Sequence, residues 1–121
     1  MASVPYKFTL ASSNNLQPVR AGQGGNLKGY SAVVIAAYPV FIKLYWFVPT
    51  AAAPTPVVGT TVPNMTIEVG VPSTGVGHNE QSWPDGVTGN GQLWVAVTKV
   101  ATDADNTSTT AGDAVITLLV E

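Results

Sequence analysis

The only histidine of the chain, His78, is the first residue to consider for catalytic chemistry. A histidine-activated nucleophile needs the imidazole held by a carboxylate and aimed at a hydroxyl. Ser82 and Asp85 follow closely, but neither lies in a nucleophile elbow or a comparable strained turn. The absence of cysteine removes thiol nucleophiles and thiolate metal ligands. One histidine beside Glu80 and Asp85 is too little for a recognisable metal site, so we interpret His78 as an exposed turn residue and expect no enzyme.

Three aspartates near the end of the chain raise the question of calcium. The helix–loop–helix calcium motif requires glycine at its sixth position and glutamate at its twelfth. Counted from Asp103, these positions hold Ser108 and Ala114, so the motif fails. An irregular site built from Asp103, Asp105 and Asp113 stays open, and so does simple capping of turns by these side chains.

Carbohydrate chemistry can be considered from the acidic and aromatic residues. Cleavage of a glycoside needs two carboxylates across the scissile bond, and nothing in the spacing of Glu68, Glu80 and Asp85 singles out such a pair. Trp83 and Trp94 lie near polar turns and could form a platform on which sugar rings stack. Tryptophans are also common as core or interface anchors, because each buries a large area.

The charge content limits the class of partner. Charged residues make up only 10% of the 121 residues, against roughly 25% in a typical domain. The five basic residues are dispersed and the formal net charge is −2, which argues against nucleic-acid binding. So few charges favour a surface that is partly covered by other subunits, although an uncharged polar surface rich in Thr, Ser, Asn and Gly is the alternative.

The apolar run at residues 33–48 does not predict a membrane span. It is too short, contains Lys43 and is interrupted by Pro39. The first residues show no basic region followed by an apolar run, so we expect no signal peptide. We therefore expect no membrane association, and no motif in the chain requires a cofactor.

Apolar and polar residues alternate through much of the chain, which predicts β-strands. No segment shows sustained helical periodicity, and nine prolines and twelve glycines punctuate the pattern at short spacing. Turn signals occur at residues 84–86 and 89–91. The fold class that follows is all-β: an antiparallel β-sandwich, jelly-roll-like, with about seven or eight strands. Beyond the N-terminal segment, the expected strands are residues 16–20, 27–37, 40–48, 65–69, 78–83, 92–100 and 113–120.

The strand expected at residues 40–48 is apolar on both faces. Ile42, Leu44 and Trp46 share one face, because side chains alternate along a strand. The other face holds Phe41, Lys43, Tyr45 and Phe47. This pattern is typical of a central strand that is covered on both sides or abuts a partner. We expect Tyr45, Phe47 and Trp94 to belong to the core or to an interface.

Residues 1–13 form either an N-terminal arm or a first strand, and residues 14–121 form a single β-sandwich domain. Val4, Tyr6 and Phe8 alternate with polar or small residues, as in a half-buried strand. This strand could pair with a neighbouring subunit or pack within its own domain. We expect Val4, Tyr6 and Phe8 to contribute to a contact between subunits.

From residue 25 onward, the order of strands and turns resembles a family of small structural proteins encoded beside the structural genes of tailed bacteriophages. The segments that carry the resemblance are Gly-Asn-Leu-Lys-Gly-Tyr at 25–30, Phe-Ile-Lys-Leu-Tyr at 41–45, Ala-Pro-Thr-Pro-Val-Val-Gly-Thr-Thr-Val-Pro at 53–63, Trp-Pro-Asp-Gly at 83–86, Gly-Gln-Leu-Trp-Val-Ala-Val-Thr at 91–98, Ala-Thr-Asp-Ala-Asp-Asn-Thr at 101–107 and Ala-Gly-Asp-Ala-Val-Ile-Thr-Leu-Leu at 111–119. Residues 1–13 fall outside it.

The resemblance implies a jelly-roll-like virion protein that decorates or cements the head, with no catalysis, no cofactor and no agreed binding residues. Its partners would be the major capsid protein and further copies of itself. A homotrimer is the first expectation, because decoration proteins often cluster at threefold positions. The protein would reside on the capsid surface and, during assembly, in the host cytoplasm. The alternative is a carbohydrate-binding or adhesion module on a phage tail or capsid surface.

Overall fold

A computed structural model describes residues 4–9, 16–20, 25–35, 38–69, 77–107, 109–110 and 113–121, and at residues 9, 77 and 78 it describes the backbone alone. All regular structure in this part of the chain is β-strand, so it contains no helix able to cross a membrane. The eight strands are β1 (Val4–Thr9), β2 (Gln17–Pro18), β3 (Leu27–Val34), β4 (Val40–Phe47), β5 (Met65–Val69), β6 (Gly77–Val87), β7 (Gln92–Thr98) and β8 (Ala114–Val120).

The strands form two four-stranded sheets in the orders β1-β8-β3-β6 and β2-β7-β4-β5. Every pairing in both sheets is antiparallel. The pairs β1–β8, β2–β7, β3–β6 and β4–β5 describe one long antiparallel ribbon wound into two layers, which is the jelly-roll order. The expected antiparallel sandwich is therefore confirmed.

The core lies between the two sheets and follows the alternation in the sequence. The inward residues of β8 are Ala114, Ile116, Leu118 and Val120, all fully buried. Strand β7 contributes Leu93, Val95 and Val97. The remaining core side chains are Val19, Leu27, Tyr30, Ala32, Val34, Val40, Ile42, Leu44, Trp46 and Val69. Branched aliphatic residues dominate because they fit a pleated, buried surface.

Strand β6 is longer than the sequence predicts. The Pro84-Asp-Gly86 segment, expected to form a turn, lies inside the strand, so this prediction is wrong. The register shows the reason: Ser82 pairs with Gly29 and Val87 with Leu27, so β6 advances five residues while β3 advances two. The excess residues form a bulge that includes Gly86 at φ 78°. Pro84, Asp85 and Gly86 therefore lie in a bulge within β6 and do not end the strand.

The first strand, β1, lies at the edge of its sheet and pairs with β8 of the same chain. Tyr6 and Phe8 are partly buried and pack against the core. Of the segment expected as an arm or first strand, only residues 4–9 are within the described part, and they form a strand of this domain.

Candidate binding surface

Loops of the chain itself cover the centre of the outer face of the β2-β7-β4-β5 sheet. Lys43 and Tyr45 point away from the core, yet they are 0% and 1% exposed. The Lys43 ammonium donates to the backbone carbonyl oxygens of Thr102 at 2.7 Å and Asp105 at 3.0 Å. The loop at residues 99–107 thus lies across this face, and β4 is covered on both sides.

A second loop, at residues 48–64, packs beside the first. A Cβ added to Gly59 would lie 3.0 Å from the Cβ of Asn106 and 3.2 Å from the carbonyl oxygen of Ala104. The Asn64 side chain accepts a hydrogen bond from the Trp46 amide at 2.8 Å, which attaches this loop to β4. The two loops together bury the centre of this face, around Lys43 and Tyr45.

Burial shapes the electrostatics under the loops. Desolvation lowers the pKa of Lys43, and the charges of Asp105 and Asp103 partly oppose this effect. Burial, with a contribution from Asp103, raises the pKa of Tyr45 to about 12. The Tyr45 hydroxyl is buried and has no hydrogen-bond partner within the described part of the chain. These groups act in packing, and none is accessible to a substrate.

The three aspartates considered for calcium do not form one site. Asp105 accepts hydrogen bonds from the Thr107 hydroxyl at 2.7 Å and the Val100 amide at 3.2 Å. Asp113 accepts a hydrogen bond from the Tyr38 hydroxyl at 2.6 Å. No group of three or more potential metal ligands occurs among the described residues. Capping and bracing of loops account for Asp105 and Asp113.

The residues considered for acid–base chemistry are dispersed. Glu68 lies on β5, whereas Glu80 and Ser82 lie on β6 in the other sheet. Asp85 is exposed within the β6 bulge. The backbone of His78 lies in β6, paired with Val33, so the interpretation of His78 as a turn residue is wrong. Its side chain falls outside what the structure describes.

Trp83 and Trp94 do not form a shared platform. Trp83 is partly buried against the core, with its ring centroid 5.7 Å from that of Tyr30. Trp94 lies on β7 in the opposite sheet, directly across from Tyr45 and on the outer face. The two indoles therefore lie in different layers and on different surfaces.

The residues expected at a subunit contact occupy different environments. In β1, Val4 is 43% exposed, whereas Tyr6 and Phe8 are half-buried. The Tyr6 hydroxyl accepts a hydrogen bond from Nε of Arg20 at 2.9 Å. Of the three residues expected at a contact, only Val4 is exposed.

The other three expected contact residues lie in the second sheet. Tyr45 is buried beneath the chain's own loops, on the side of β4 that faces away from the core between the sheets. Phe47 and Trp94 are half-buried at neighbouring positions of β4 and β7, so each keeps part of its ring accessible. Their role in an interface stays a prediction.

The outer face of the β1-β8-β3-β6 sheet differs from its counterpart because much of it is accessible. We call it the open face. Its middle row runs Lys7, Thr117, Ser31, Glu80 across the four strands, as the register dictates. Both terminal residues of this row are exposed and both central ones are half-buried.

Two further rows flank the charged one on the open face. One contains Pro5, Leu119, Gly29 and Ser82, and the other has Val115 beside Val33 at its centre. Leu119 is 37% exposed and Val33 38% exposed. A groove of about 360 Å³ lies over β8, β3 and β6, lined by Tyr30, Ser31, Glu80, Gln81, Ser82, Thr117 and Leu119.

Sequence reasoning did not single out the open face. The outward positions of β8 and β3 can be read from alternation, but the strand order that places them side by side cannot. Lys7 and Glu80 are 73 positions apart in number and meet in one row only through β8 and β3.

Comparison of the chain with protein-family models, with curated proteins and with solved structures found no match. The resemblance to phage decoration proteins stays a prediction.

Proposed function

We propose that the chain is a structural protein of a tailed-bacteriophage virion, most directly a decoration protein that binds the assembled head and stabilises it. The observation that carries this proposal is the unequal coverage of the two sheets. The centre of one outer face is covered by the chain's own loops, whereas the other presents apolar, small polar and charged side chains around an open groove. Surfaces that combine apolar and polar groups in this way are typical of contacts between proteins.

The partners in this proposal are the major capsid protein and further copies of the chain. Many copies on a symmetric lattice let weak single contacts sum to a large effect. A trimer is the first arrangement to test at threefold positions of the head. The protein acts through binding, without catalysis or a cofactor, on the capsid surface.

Edge strand β1 supports a contact with the capsid. It pairs only with β8 among the described strands, so its other edge is not covered by a strand of the described part. Exposed edges invite pairing with another chain unless they are blocked. Val4 adds an accessible apolar side chain at the start of this edge. The edge of β1 therefore offers backbone groups and an apolar anchor together.

The test is cosedimentation of the purified protein with expanded capsids assembled from the major capsid protein of the same phage. We expect saturable binding in a fixed ratio to capsid subunits, and this ratio identifies the symmetry position. Val4→Asp should weaken binding at least about tenfold, because the new carboxylate must be desolvated. Val62→Asp is the matched control at an exposed loop position, 67% exposed in the native protein, and should bind normally. Folded native protein that does not sediment with capsids would refute the proposal.

A further inference from the structure

The open face is self-complementary, and the geometry points to a second copy of this chain as its partner. Two copies would pack face to face about a two-fold axis that runs parallel to the strands, between β8 and β3. This contact is separate from binding to the capsid through the edge of β1, and it does not depend on it.

The registers of the sheet define which residues such an axis brings together. A two-fold rotation places β8 of one copy over β3 of the other, and β1 over β6, because the order is β1-β8-β3-β6. The rotation does not shift a row along the strand direction, so each row faces the same row of the partner subunit. The order within the row is reversed, so a residue of β1 faces one of β6 and a residue of β8 faces one of β3.

The central pairs match in size and polarity. Leu119, an exposed apolar side chain, would lie over Gly29 of the partner subunit, which has no side chain and is buried beside the β6 backbone at Gln81 and Ser82. Thr117 would meet Ser31 of the partner subunit, hydroxyl to hydroxyl. Val115 would meet Val33 of the partner subunit, so two apolar side chains become covered together.

The outer pairs match in charge. Lys7 lies in β1 and Glu80 in β6, at the two ends of one row. The axis would place Lys7 over Glu80 of the partner subunit twice, once at each side of the interface. An axis perpendicular to the strands would instead place Lys7 over Lys7 of the partner subunit. The charges thus select one of the two orientations.

The size of the face sets the strength of the contact. Its four strands span roughly 15 Å, and packed sheets lie about 10 Å apart. Aligned sheets cross at about 30°, which displaces the outer pairs by only a few ångströms and leaves them within reach of flexible Lys and Glu side chains. Such an interface is at the low end of specific contacts, below about 1,200 Å² in total. A reversible dimer is therefore expected.

The decisive test is the association of charge-reversed variants without capsid, measured by sedimentation equilibrium from about 1 µM to 1 mM. Native protein should dimerise. Lys7→Glu alone and Glu80→Lys alone should each associate at least tenfold more weakly, because each homodimer has two like-charge pairs. An equimolar mixture should recover dimerisation, since a heterodimer of the two variants has both pairs opposite in charge. Circular dichroism establishes that each variant is folded.

A second measurement does not depend on the charges. The chain has no cysteine, so single cysteines can be placed without background. A mixture of Thr117→Cys and Ser31→Cys should form a disulfide-linked heterodimer under mild oxidation, and Val62→Cys with Ser31→Cys should not.

Native protein that is monomeric up to about 1 mM, or a mixture no better associated than its components, overturns the proposal. So does loss of capsid binding by the charge variants when the native protein is monomeric, because the open face would then be the capsid contact. Failure of capsid binding alone leaves the dimer intact and refutes only the decoration function.

Discussion

The ammonium of Lys43 lies 2.7 Å from the backbone carbonyl oxygen of Thr102, 59 positions further along the chain. This bond, with the one to the Asp105 carbonyl, attaches the loop at residues 99–107 to the outer face of β4. A lysine on a central strand is unusual because burying its charge is costly unless the ammonium is hydrogen-bonded. Here the loop supplies the acceptors, and in return the lysine holds the loop closed over Tyr45.

Replacing Lys43 by methionine should destabilise the fold. Methionine keeps most of the apolar stem but donates no hydrogen bond, so the carbonyl oxygens of Thr102 and Asp105 lose their partner. Hydrogen bonds to charged groups contribute about 1.5–3 kcal/mol each, and relief of the lysine desolvation cost offsets part of this. We expect a loss of about 2–4 kcal/mol in the free energy of unfolding, measured with urea.

Lys7→Met is the matched control when unfolding is measured at about 1 µM, where the proposed dimer is dissociated, because Lys7 is exposed on the open face and should then cost less than about 0.5 kcal/mol. Faster amide exchange at residues 99–107 in Lys43→Met would show that the loop has detached. Equal unfolding free energies for Lys43→Met and the native protein would mean that the lysine does not hold the loop.

Removing the tyrosine hydroxyl should destabilise the fold at Tyr38 but not at Tyr45. The Tyr38 hydroxyl donates to Asp113 at 2.6 Å and accepts from the Thr110 amide at 3.1 Å. The Tyr45 hydroxyl is buried without a partner in the described structure. At pH 7, Tyr38→Phe should lose about 1–3 kcal/mol, whereas Tyr45→Phe should be neutral or stabilising. Equal losses for the two variants would contradict the assigned hydrogen bonding.

Burial of Tyr45 should make the free energy of unfolding sensitive to alkaline pH. An unfolded tyrosine has its ordinary pKa of 10.0, whereas burial raises the pKa of Tyr45 to about 12. Between these pH values the folded state binds more protons, so the stability that is present below pH 10 is lost as pH rises. This loss amounts to at most about 3 kcal/mol.

Unfolding free energies measured from pH 9 to about 12 should therefore fall more steeply for the native protein than for Tyr45→Phe. Part of the fall should persist in the variant, because burial also raises the pKa of Tyr30. Parallel curves for the two proteins would show that Tyr45 does not titrate differently on folding.

How much of the molecule the sequence predicts depends on the range of the interaction concerned. Local alternation correctly placed Ile42, Leu44 and Trp46 on one face of β4, which the structure shows to be the core side. The two apolar faces of β4 also indicated cover on both sides.

Features that depend on pairing between distant segments were not predictable. The pairing of β1 with β8 joins the first described strand to the last one. It also places Lys7 in the same row as Glu80. Beyond Pro84, β6 continues alongside β3, and the Lys28 side chain donates to the Pro84 carbonyl across the bulge. Local turn chemistry alone indicates a strand end at this position. The loop that covers Lys43 is likewise distant from it in sequence, so its position over β4 could not be predicted without the tertiary fold.

Truncation in β1 should separate a folding role from an assembly role. Phe8 packs partly buried against the core and pairs with Ile116 of β8. Phe8→Ala should therefore lower the free energy of unfolding by about 2–4 kcal/mol, somewhat less than for a fully buried phenylalanine. Val4→Ala, at a largely accessible position, should cost less than about 1 kcal/mol. A Phe8→Ala variant that keeps native stability but fails to assemble would indicate that β1 is an intersubunit arm.

Gly91 at the crossing from β6 to β7 should not tolerate a side chain. Its φ of 100° is disfavoured for every residue except glycine, and an added Cβ would meet the backbone of Phe47 and Val48. Because backbone atoms cannot rotate away as a side chain can, both the strain and the clash must be relieved by moving the crossing. We expect Gly91→Ala to lose more than about 2 kcal/mol in urea unfolding. Asn90→Ala, at the adjacent exposed position, controls for changes in this segment and should remain within about 0.5 kcal/mol of native. If the two variants were equally stable, the crossing would have to be looser than the contact between Gly91 and Phe47 indicates.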